Sequence, residues 1–491
     1  MIQLENVSFS YAGRAVKSLE NIDLTIPTGK CILLCGRSGC GKTTFMRLIN
    51  GLIPYFFPGK LTGHITVNNM EISETPMHKI ATQVGSVFQN PRTQFFNVDT
   101  DSEIAFGTEN IALPTKELHQ RVTQAKKDLH IENLSDRSIF ELSGGEKQKI
   151  ALASVYAMNP DIYLLDEPSS NLDISAIEDL KETLILLKKQ RKTILIAEHR
   201  LYYLMDVIDC AFYFENGRLQ GRYSPLELQL LSPLLRGKMG LRATDLHTVL
   251  PCSAQARPTR TTLELKDINL FHKKQKTLKD ICLSVKAGEI IGISGHNGAG
   301  KTTLSRAICG LHKETDGKII LNGSLQNRKM LMKQSYLVMQ DVNYELFAES
   351  VEKECTFGIK DPDKALANAT LQELELTPFR HWHPNTLSGG QKQRLAVAVS
   401  VICKKEILVF DEPTSGLDYD SMTRVARLIE SLARKGKIIF VTTHDYEFVC
   451  QTCNRLLYMD KGKLASNLLV CPENTNKIKA LFSITKEGQE K

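Results

Sequence analysis

Six short runs of consecutive apolar residues stand out along the chain, three in each half. The first half contains "KCILLC", "DIYLL" and "KTILIA", and the second half contains "EIIGIS", "EILVF" and "KIIFVT". Each run is uniformly hydrophobic, which is typical of a strand buried on both faces of a parallel sheet. Segments with the spacing of amphipathic helices alternate with these runs. The pattern therefore predicts an α/β domain with a mainly parallel sheet, built twice.

Three motifs also occur twice, in the same order. "GRSGCGKTT", "LSGGE" and "LLDEPSSNLD" return as "GHNGAGKTT", "LSGGQ" and "VFDEPTSGLD". The second half is shorter, partly because "LHKETDG" replaces "IPYFFPGKLTG". Between the halves, "SPLELQLLSPLL" has a helical pattern, whereas "PCSAQARPTRTT" has the composition of a linker. We predict a first domain over residues 1–225, a linker over 226–262, a second domain over 263–475 and a C-terminal tail over 476–491.

The two glycine-rich motifs fit G-x-x-x-x-G-K-[ST], each after a predicted strand and before a predicted helix. Glycines let several backbone N–H groups point at one anion, and the start of the helix adds its positive end. Lys42 and Lys301 should reach the β- and γ-phosphates of a nucleotide. Thr43 and Thr302 should ligate Mg²⁺ through their hydroxyls. The motif therefore predicts two ATP sites that use Mg²⁺.

A pair of acidic residues follows another predicted strand in each half. Asp166 and Asp411 end their strands, where a carboxylate can hold Mg²⁺ from the adjacent strand tip. Glu167 and Glu412 come next and should point toward the γ-phosphate. A carboxylate there can orient and deprotonate the attacking water. We therefore expect Glu167 and Glu412 to be the catalytic bases.

With "LSGGEKQK" and "LSGGQKQR" between a phosphate loop and a "DEP" strand, the chain resembles ABC-type ATPases over nearly its whole length. The resemblance implies two tandem P-loop nucleotide-binding domains, each with a mainly parallel core sheet, an antiparallel β subdomain and a helical subdomain. It also implies that the two domains pair head to tail within one chain. Lys42 would then share a nucleotide with Ser388, Gly389 and Gly390, and Lys301 with Ser143, Gly144 and Gly145. The start of a helix at "SGG" agrees, since it offers free N–H groups to an anion.

Further site residues are implied by the same resemblance. His199 and His444 match the switch histidine, Tyr11 the aromatic that stacks on adenine, and Asp173 and Asp418 the D-loop. The counterpart of Tyr11 in the second half is Phe271 or His272. Two competent sites are expected, and Glu146 of "LSGGE" either places an acid near the phosphates or faces solvent. The residues expected at the nucleotides are Tyr11, Gly36, Arg37, Ser38, Gly39, Cys40, Gly41, Lys42, Thr43, Thr44, Ser143, Gly144, Gly145, Phe271, Gly295, His296, Asn297, Gly298, Ala299, Gly300, Lys301, Thr302, Thr303, Ser388, Gly389 and Gly390.

The segment "QNPRTQFFNVDTDSEIAFG" begins at Gln89 and resembles the form found in energy-coupling-factor importers, the vitamin and metal-ion uptake systems of prokaryotes. Gln89 and Gln340 match the glutamine that reaches Mg²⁺ and the attacking water. The resemblance implies a groove for a helix of a transmembrane scaffold subunit, with a further membrane subunit that binds the substrate. Alternatively, the acids in these segments form only a helix N-terminal cluster. The residues expected at the partner are Phe95, Phe96, Asp99, Asp101, Glu103, Phe347, Glu349 and Glu352.

The composition predicts a cytosolic chain, and the resemblance to importer ATPases implies a peripheral protein on the cytoplasmic face of a membrane, without nucleic acid. The net charge is +7 over 491 residues, and no apolar run approaches the roughly 18 residues that span a bilayer. Among the twelve cysteines only "CQTC" has the C-x-x-C spacing of a zinc site, and no second pair stands near it to complete four ligands. Two alternatives are a fused sugar-importer ATPase and a ribosome-associated ABC ATPase. The first usually has one degraded site, and the second a long charged linker and "DEPTNHLD".

Overall fold

The computed structural model describes residues 1–13, 16–170, 172–252, 262–272, 275–313 and 315–484. The contacts divide the chain into two compact units of nearly equal size, Met1–Asp245 and Leu246–Lys491, here called lobe 1 and lobe 2. Each lobe contains one copy of the repeated motifs.

Lobe 1 alternates strands and helices, and its N-terminal strands come first. Its strands are β1 (Ile2–Tyr11), β2 (Leu19–Ile26), β3 (Cys31–Cys35), β4 (Gly59–Val67), β5 (Met70–Glu71), β6 (Val84–Val87), β7 (Ile162–Asp166), β8 (Thr193–Ala197), β9 (Cys210–Glu215) and β10 (Arg218–Tyr223). Its helices are α1 (Lys42–Ile49), α2 (Leu52–Tyr55), α3 (Met77–Gln83), α4 (Thr100–Asn110), α5 (Thr115–Asp128), α6 (Gly144–Met158), α7 (Ile174–Lys189), α8 (Pro225–Leu230) and α9 (Pro233–Lys238).

Lobe 2 follows the same plan. Its strands are β11 (Thr262–His272), β12 (Gln275–Lys286), β13 (Ile290–Ser294), β14 (Thr315–Leu321), β15 (Ser324–Leu325), β16 (Ser335–Val338), β17 (Ile407–Asp411), β18 (Ile438–Thr442), β19 (Arg455–Asp460) and β20 (Lys463–Leu469). Its helices are α10 (Lys301–Ile308), α11 (Arg328–Gln334), α12 (Val351–Glu354), α13 (Lys364–Glu373), α14 (Gly389–Ile402), α15 (Tyr419–Arg434), α16 (Tyr446–Thr452) and α17 (Thr475–Leu481).

The apolar runs form the middle of a six-stranded sheet in each lobe. The strand order is β10-β9-β3-β8-β7-β6 in lobe 1 and β16-β17-β18-β13-β19-β20 in lobe 2. All neighbours are parallel except the edge hairpins β9–β10 and β19–β20. Because parallel strands end at one edge, the loops after β3, β6, β7 and β8 lie together. The prediction of a mainly parallel sheet built twice is confirmed.

Each lobe also has a four-stranded antiparallel sheet and a helical part, as the resemblance implied. The sheets have the orders β2-β1-β4-β5 and β12-β11-β14-β15. In lobe 1 the apolar sides of the two sheets pack with α1 into one core, which includes Phe9, Phe45 and Phe214. A second core lies on the other side of the six-stranded sheet, where α4 to α7 cover it. The phosphate loop leaves this sheet after β3 and leads into α1.

The region after β10 is part of lobe 1 as far as Asp245. Helices α8 and α9 are short, and each is capped by a serine with proline in the first turn. Leu228 is fully buried, and Met239 and Leu241 join the core of lobe 1. The helical pattern of "SPLELQLLSPLL" thus corresponds to ordered structure packed on the lobe. Most of "PCSAQARPTRTT" lies outside the described residues.

Within the part of the chain that the structure describes, no helix combines the length and hydrophobicity needed to cross a membrane. The longest helices, α7 and α15, are amphipathic and cover one side of a sheet. At the C-terminus, α17 buries Ile478, and Phe482 packs against Tyr446 with ring centroids 5.5 Å apart. The end of the predicted tail, residues 485–491, is outside the described residues.

Candidate nucleotide sites

The phosphate loop of lobe 1 curls between β3 and α1. Its lysine is buried, and the Lys42 Nζ donates to the carbonyl oxygens of Gly36 and Arg37, both at 3.0 Å. Gly36 has φ 136°, and a Cβ there would lie 2.2 Å from the carbonyl oxygen of Phe214. Only glycine allows this approach. The ammonium group thus sits at the centre of a loop whose backbone N–H groups are arranged for an anion.

Lobe 2 repeats this geometry closely. Lys301 Nζ donates to the carbonyl oxygens of Gly295 at 2.6 Å and His296 at 3.0 Å. Gly295 has φ 143°, and a Cβ would lie 2.2 Å from the carbonyl oxygen of Met459. Two loops with the same lysine contacts and the same glycine constraint are two phosphate sites of one design.

The predicted magnesium ligands meet at the carboxyl edge of each sheet. Thr43 Oγ1 donates to Asp166 Oδ1 at 3.3 Å, and Thr302 Oγ1 donates to Asp411 Oδ2 at 3.0 Å. Burial, and then the charge of Glu167, raise the pKa of Asp166 to about 6. Burial likewise raises the pKa of Asp411 above its ordinary value. A cation beside either carboxylate would offset this cost.

The donor set fits Mg²⁺, which prefers oxygen ligands and keeps water and phosphate oxygens in its shell. A hydroxyl and a carboxylate per lobe are therefore enough from the protein side. Thr43 and Asp166 would hold the ion in lobe 1, and Thr302 and Asp411 in lobe 2. When bound, the ion would neutralise phosphate charge. Among the described residues, no group of three or more His, Cys, Asp and Glu side chains could hold a metal by itself.

The expected catalytic glutamates sit in a tight turn after β7 and β17. Glu167 and Glu412 have φ of 48° and 51°, and their N–H groups donate to Ala197 and Thr442 at 2.8 and 2.9 Å. The left-handed conformation turns these side chains out of the strand direction. Each carboxylate then faces a histidine. The distance from His199 Nε2 to the Glu167 carboxylate is 3.5 Å.

In lobe 2 the matching distance, from His444 Nε2 to the Glu412 carboxylate, is 3.7 Å. His199 Nε2 also lies 3.5 Å from the hydroxyl of Ser38 in the phosphate loop. Gln89 joins the group through its Nε2, 2.5 Å from Glu167 Oε2. In lobe 1 the structure thus brings together the glutamine, the glutamate and the histidine that sequence reasoning named separately.

Glu198 is a residue of lobe 1 that sequence reasoning missed. It is only 2% exposed, and its carboxylate accepts from the N–H groups of His199 at 2.7 Å and Ser169 at 3.2 Å, and from the Tyr203 hydroxyl at 3.0 Å. It therefore ties the histidine turn to the loop after β7. Lobe 2 has Thr443 here, and Asp445 accepts from the hydroxyl of Thr414 at 3.1 Å instead. In the sequence, the only sign of this role is that Glu198 directly precedes His199 in "AEHR".

The signature serines cap the helices that follow them. Ser143 Oγ accepts from the N–H of Glu146, and Glu146 Oε2 accepts from the N–H of Ser143 at 2.7 Å. Ser388 and Gln391 form the same capping box on α14. Glu146 also pairs with Arg137 at 3.0 Å. The carboxylate of Glu146 therefore closes the cap of its own helix and stays partly exposed, and its distance from a bound phosphate remains a prediction.

The aromatic residues expected at adenine lie at the ends of β1 and β11. The Tyr11 hydroxyl is 3.2 Å from Thr44 Oγ1 and accepts from Arg47 at 3.0 Å, so the ring is held against α1. Phe271 is 41% exposed. The side chain of His272 is outside the description. The aspartates of the D-loop, Asp173 and Asp418, are buried caps of α7 and α15.

Comparison with known proteins identifies the source of this geometry. A profile described as "ABC transporter" matches residues 19–170 and 278–415. The chain belongs to the ABC transporter family. A "Putative ABC transporter ATP-binding protein" of Treponema denticola is 50% identical over 485 residues, which cover 97% of this chain and 99% of that protein. The chain is therefore a tandem ABC ATPase that binds ATP.

Two solved structures add information on the fold. One is from the complex of archaeal ribosomal stalk protein aP1 and archaeal ribosome recycling factor aABCE1, with 21% identity, TM-score 0.65, and coverage of 98% of this chain and 92% of that chain. At this identity the likeness shows the fold alone. The other is cbiO1 from Clostridium perfringens, part of the ABC transporter complex cbiONQ, with 28% identity, TM-score 0.43, and coverage of 48% and 93%. A match of that extent says nothing about partners.

The segment after Gln89 in this ABC ATPase presents aromatic side chains to solvent. Phe96 is 73% exposed and stacks on Phe106 with ring centroids 4.8 Å apart, and Phe347 of lobe 2 is 69% exposed. Phe95 instead turns inward, half-buried against the core. Phe96 and Phe347 thus remain available as apolar anchors, and Phe95 is a packing residue.

The acidic residues of the same segments are engaged within their own lobes. Glu103 is 2% exposed, and its carboxylate accepts from the N–H groups of Phe96 at 3.0 Å and Asn97 at 2.8 Å. The prediction that Glu103 meets a partner was wrong, because the carboxylate faces the backbone of its own loop. Glu354 in lobe 2 accepts from two N–H groups in the same way. Glu354 is therefore the residue of lobe 2 that corresponds to Glu103, because its carboxylate holds the backbone of the loop in the same way.

The other four acids have local partners as well. Asp99 caps α4, and this bond holds the pKa of Asp99 below its usual range. Asp101 pairs with Lys126 at 2.9 Å, and Glu349 pairs with Lys353. Glu352 pairs with Arg380 at 2.6 Å. Asp99 therefore acts at a helix N-terminus, as the alternative interpretation predicted. Asp101, Glu349 and Glu352 instead form ion pairs within their own lobes.

A cavity of about 630 Å³ lies between α1, α2 and the loop after β6 in lobe 1. Its apolar wall includes Phe56, Phe57, Phe88 and Phe96. Phe56 and Phe57 come from "IPYFFPGKLTG", which the second half lacks. The same cavity is also lined by Thr43, Gln89 and Asp166, which are expected at the magnesium ion. One cavity therefore touches both an exposed aromatic and the expected magnesium ligands.

Proposed function

We propose that this chain is the ATP-hydrolysing subunit of an energy-coupling-factor type importer, which powers uptake of a vitamin or metal ion through membrane subunits. A transmembrane scaffold subunit would contact the chain at the cytoplasmic face of the membrane. A separate membrane subunit would bind the substrate. The proposal rests on the resemblance of "QNPRTQFFNVDTDSEIAFG" to that group, and on the cavity beside Gln89.

Both ATP sites are competent in this proposal. Each lobe has the buried phosphate-loop lysine, the threonine–aspartate pair, and the glutamate beside a histidine. The fused sugar-importer alternative usually has one degraded site, so two complete sets count against it. The ribosome-associated alternative is supported only by a fold likeness at 21% identity.

We further propose that the lobes pair head to tail, so that each nucleotide is enclosed by both. Lys42 would share its ATP with Ser388, Gly389 and Gly390. Lys301 would share its ATP with Ser143, Gly144 and Gly145. Each serine caps a helix whose first N–H groups have no partner in the helix, which suits a γ-phosphate. ATP then closes the pair, and hydrolysis releases it.

The membrane role is supported mainly by the lobe 1 cavity, which is lined both by the exposed Phe96 and by Gln89. A partner side chain on Phe96 would share one space with Gln89, whose amide holds Glu167. Movement of a partner helix would thus act on the catalytic carboxylate through a single residue. Because the nearby acids are already paired, apolar contact at Phe96 and Phe347 gives the partner its anchors.

Purification from membranes in mild detergent tests this proposal, with the bound proteins identified by mass spectrometry. We expect a scaffold protein and a small hydrophobic binding protein to accompany the wild-type chain. Phe96→Ala should reduce their yield at least about tenfold while ATP affinity is unchanged. The matched control is Leu226→Ala, since Leu226 is 63% exposed on α8. Recovery of ribosomal proteins, or of neither class, would contradict the importer role.

A further inference from the structure

The two lobes carry different side chains five residues after the glutamines that are expected at the magnesium sites. Gln94 follows Gln89 by five residues in "QNPRTQ", and Glu345 follows Gln340 by five residues in "QDVNYE". The repeat thus places an amide in lobe 1 where lobe 2 has a carboxyl group. Neither residue belongs to the motifs that define the nucleotide sites.

Both side chains hold the same backbone group. Gln94 Oε1 accepts from the N–H of Phe88 at 3.2 Å, and Glu345 Oε1 accepts from the N–H of Met339. Phe88 and Met339 directly precede Gln89 and Gln340. The bond therefore fixes the backbone directly before each glutamine. In lobe 1 that glutamine, Gln89, reaches Glu167, and Gln340 is its exposed counterpart in lobe 2.

The surroundings of the Glu345 side chain disfavour an ionised carboxylate. Glu345 Oε2 is buried and has no hydrogen-bond partner among the described residues. Acidic neighbours surround it, with Asp411, Glu354 and Asp341 close enough to interact by charge. A buried charge without a second partner is costly, whereas a protonated carboxyl group has nearly the shape and the neutral charge of an amide.

We propose that Glu345 acts as a neutral carboxylic acid that positions Gln340 in lobe 2, in the role that the amide of Gln94 has in lobe 1. It is a positioning residue, since it reaches the site only through Met339 and Gln340. The inference uses the ATPase activity of the family and is independent of the importer proposal.

The electrostatics of the surroundings support a neutral Glu345. Burial, with the charges of Asp411, Glu354 and Asp341 and against the bond from Met339, raises the pKa of Glu345 to about 8. The titratable groups that interact with Glu345 by charge are Tyr336 on β16, Asp341 in the turn that follows Gln340, Glu354 on α12 and Asp411 on β17. In the metal-free protein the carboxyl group is therefore protonated at neutral pH.

The first test measures ATP hydrolysis by lobe 2 alone, in the full chain with Glu167→Gln. We expect turnover to be level at neutral pH and to fall at least about tenfold at alkaline pH, where the buried charge, repelled by Glu354 and Asp341, draws the side chain toward water and away from the N–H of Met339. Glu345→Gln should retain the neutral-pH rate and remove the fall. Glu345→Ala should lose at least about tenfold at every pH, because Met339 loses its acceptor. Glu373→Gln, which removes an exposed acid on α13, should behave as the parent.

The second test is made in metal-free protein with a chelator, by thermal unfolding against pH. Since the pKa of Glu345 is raised in the folded state, the parent should lose stability relative to Glu345→Gln as pH rises from about 4.5 to 8. Above about pH 8 the difference should stay constant. In lobe 1, Gln94→Glu in a Glu412→Gln chain should acquire the alkaline loss of turnover. Equal pH profiles for the parent and Glu345→Gln, or equal losses for the Gln and Ala variants, would overturn the proposal.

Discussion

Gln89 donates from its Nε2 to the Glu167 carboxylate over 2.5 Å, in a lobe where that carboxylate also lies 3.5 Å from His199. The amide comes from the loop beside the exposed Phe96, and the carboxylate from the end of β7. A change in the position of the loop therefore changes the surroundings of the group expected to activate water. If a membrane partner binds at Phe96, as proposed, this bond would connect its contact surface to Glu167.

The catalytic role of the glutamates predicts the effect of amide substitutions. Glu167→Gln and Glu412→Gln should each retain ATP binding and lower turnover at their own site by about 10²–10⁴-fold, because the amide cannot accept the proton of water. Steady-state hydrolysis and equilibrium nucleotide binding measure the two effects. Glu178→Gln, an exposed acid on α7, is the control. Unchanged hydrolysis in both single variants would refute the assignment.

Replacement of Glu103 is expected to lower the stability of lobe 1, because its carboxylate holds the loop of Phe96 and does not face a partner. Glu103→Ala leaves the N–H groups of Phe96 and Asn97 without their acceptor and should destabilise lobe 1 by about 2–4 kcal/mol. Urea unfolding of the full chain measures this change. Glu109→Ala, at an exposed position of the same helix, should have little effect. Equal stability of the two variants would show that the carboxylate does not hold the loop.

The capping box on α6 predicts that Glu146 can be replaced by an amide. Glu146→Gln should keep both stability and ATP turnover, since Gln391 makes the same two bonds on α14. Glu146→Ala should cost about 0.5–2 kcal/mol of stability. Unfolding and hydrolysis assays separate the outcomes. A large loss of turnover in Glu146→Gln would instead assign the negative charge a direct role at the phosphates.

The raised pKa of Asp166 predicts proton release on binding. Below about pH 6 the carboxyl group is protonated in metal-free protein, so Mg²⁺–ATP must displace a proton, and affinity should fall with the pH. Calorimetry in buffers of different ionisation enthalpy counts the protons. At about pH 5.5, Asp166→Asn should release up to about one proton fewer than the parent. The same release from both proteins would contradict a ligand role for Asp166.

The sequence predicts the fold, and it predicts which side chains meet at the carboxyl edge of the lobe 1 sheet, because both depend on local patterns. Uniform apolar runs require strands buried on both faces, and the glycines at Gly36 and Gly295 are fixed by the approach of a neighbouring carbonyl. Lys42, Asp166 and Glu167 lie where the motif and strand order place them, near His199.

The roles of the acids could not be predicted in the same way. Glu103, Glu146 and Glu198 each accept from backbone N–H groups that only the folded loop turns toward them. From spacing alone, a carboxylate that anchors a loop is identical to one that faces a partner. The difference between Gln94 and Glu345 has meaning only once both are seen to hold the residue before the glutamine.

The most direct test is a structure of the full chain with Glu167→Gln and Glu412→Gln, solved with ATP and Mg²⁺. We expect two nucleotides, one between Lys42 and the turn of Ser388, and one between Lys301 and the turn of Ser143. The serine hydroxyls should lie within hydrogen-bond distance of the γ-phosphates. Nucleotides held by a single lobe, with both serines remote from the phosphates, would contradict head-to-tail pairing.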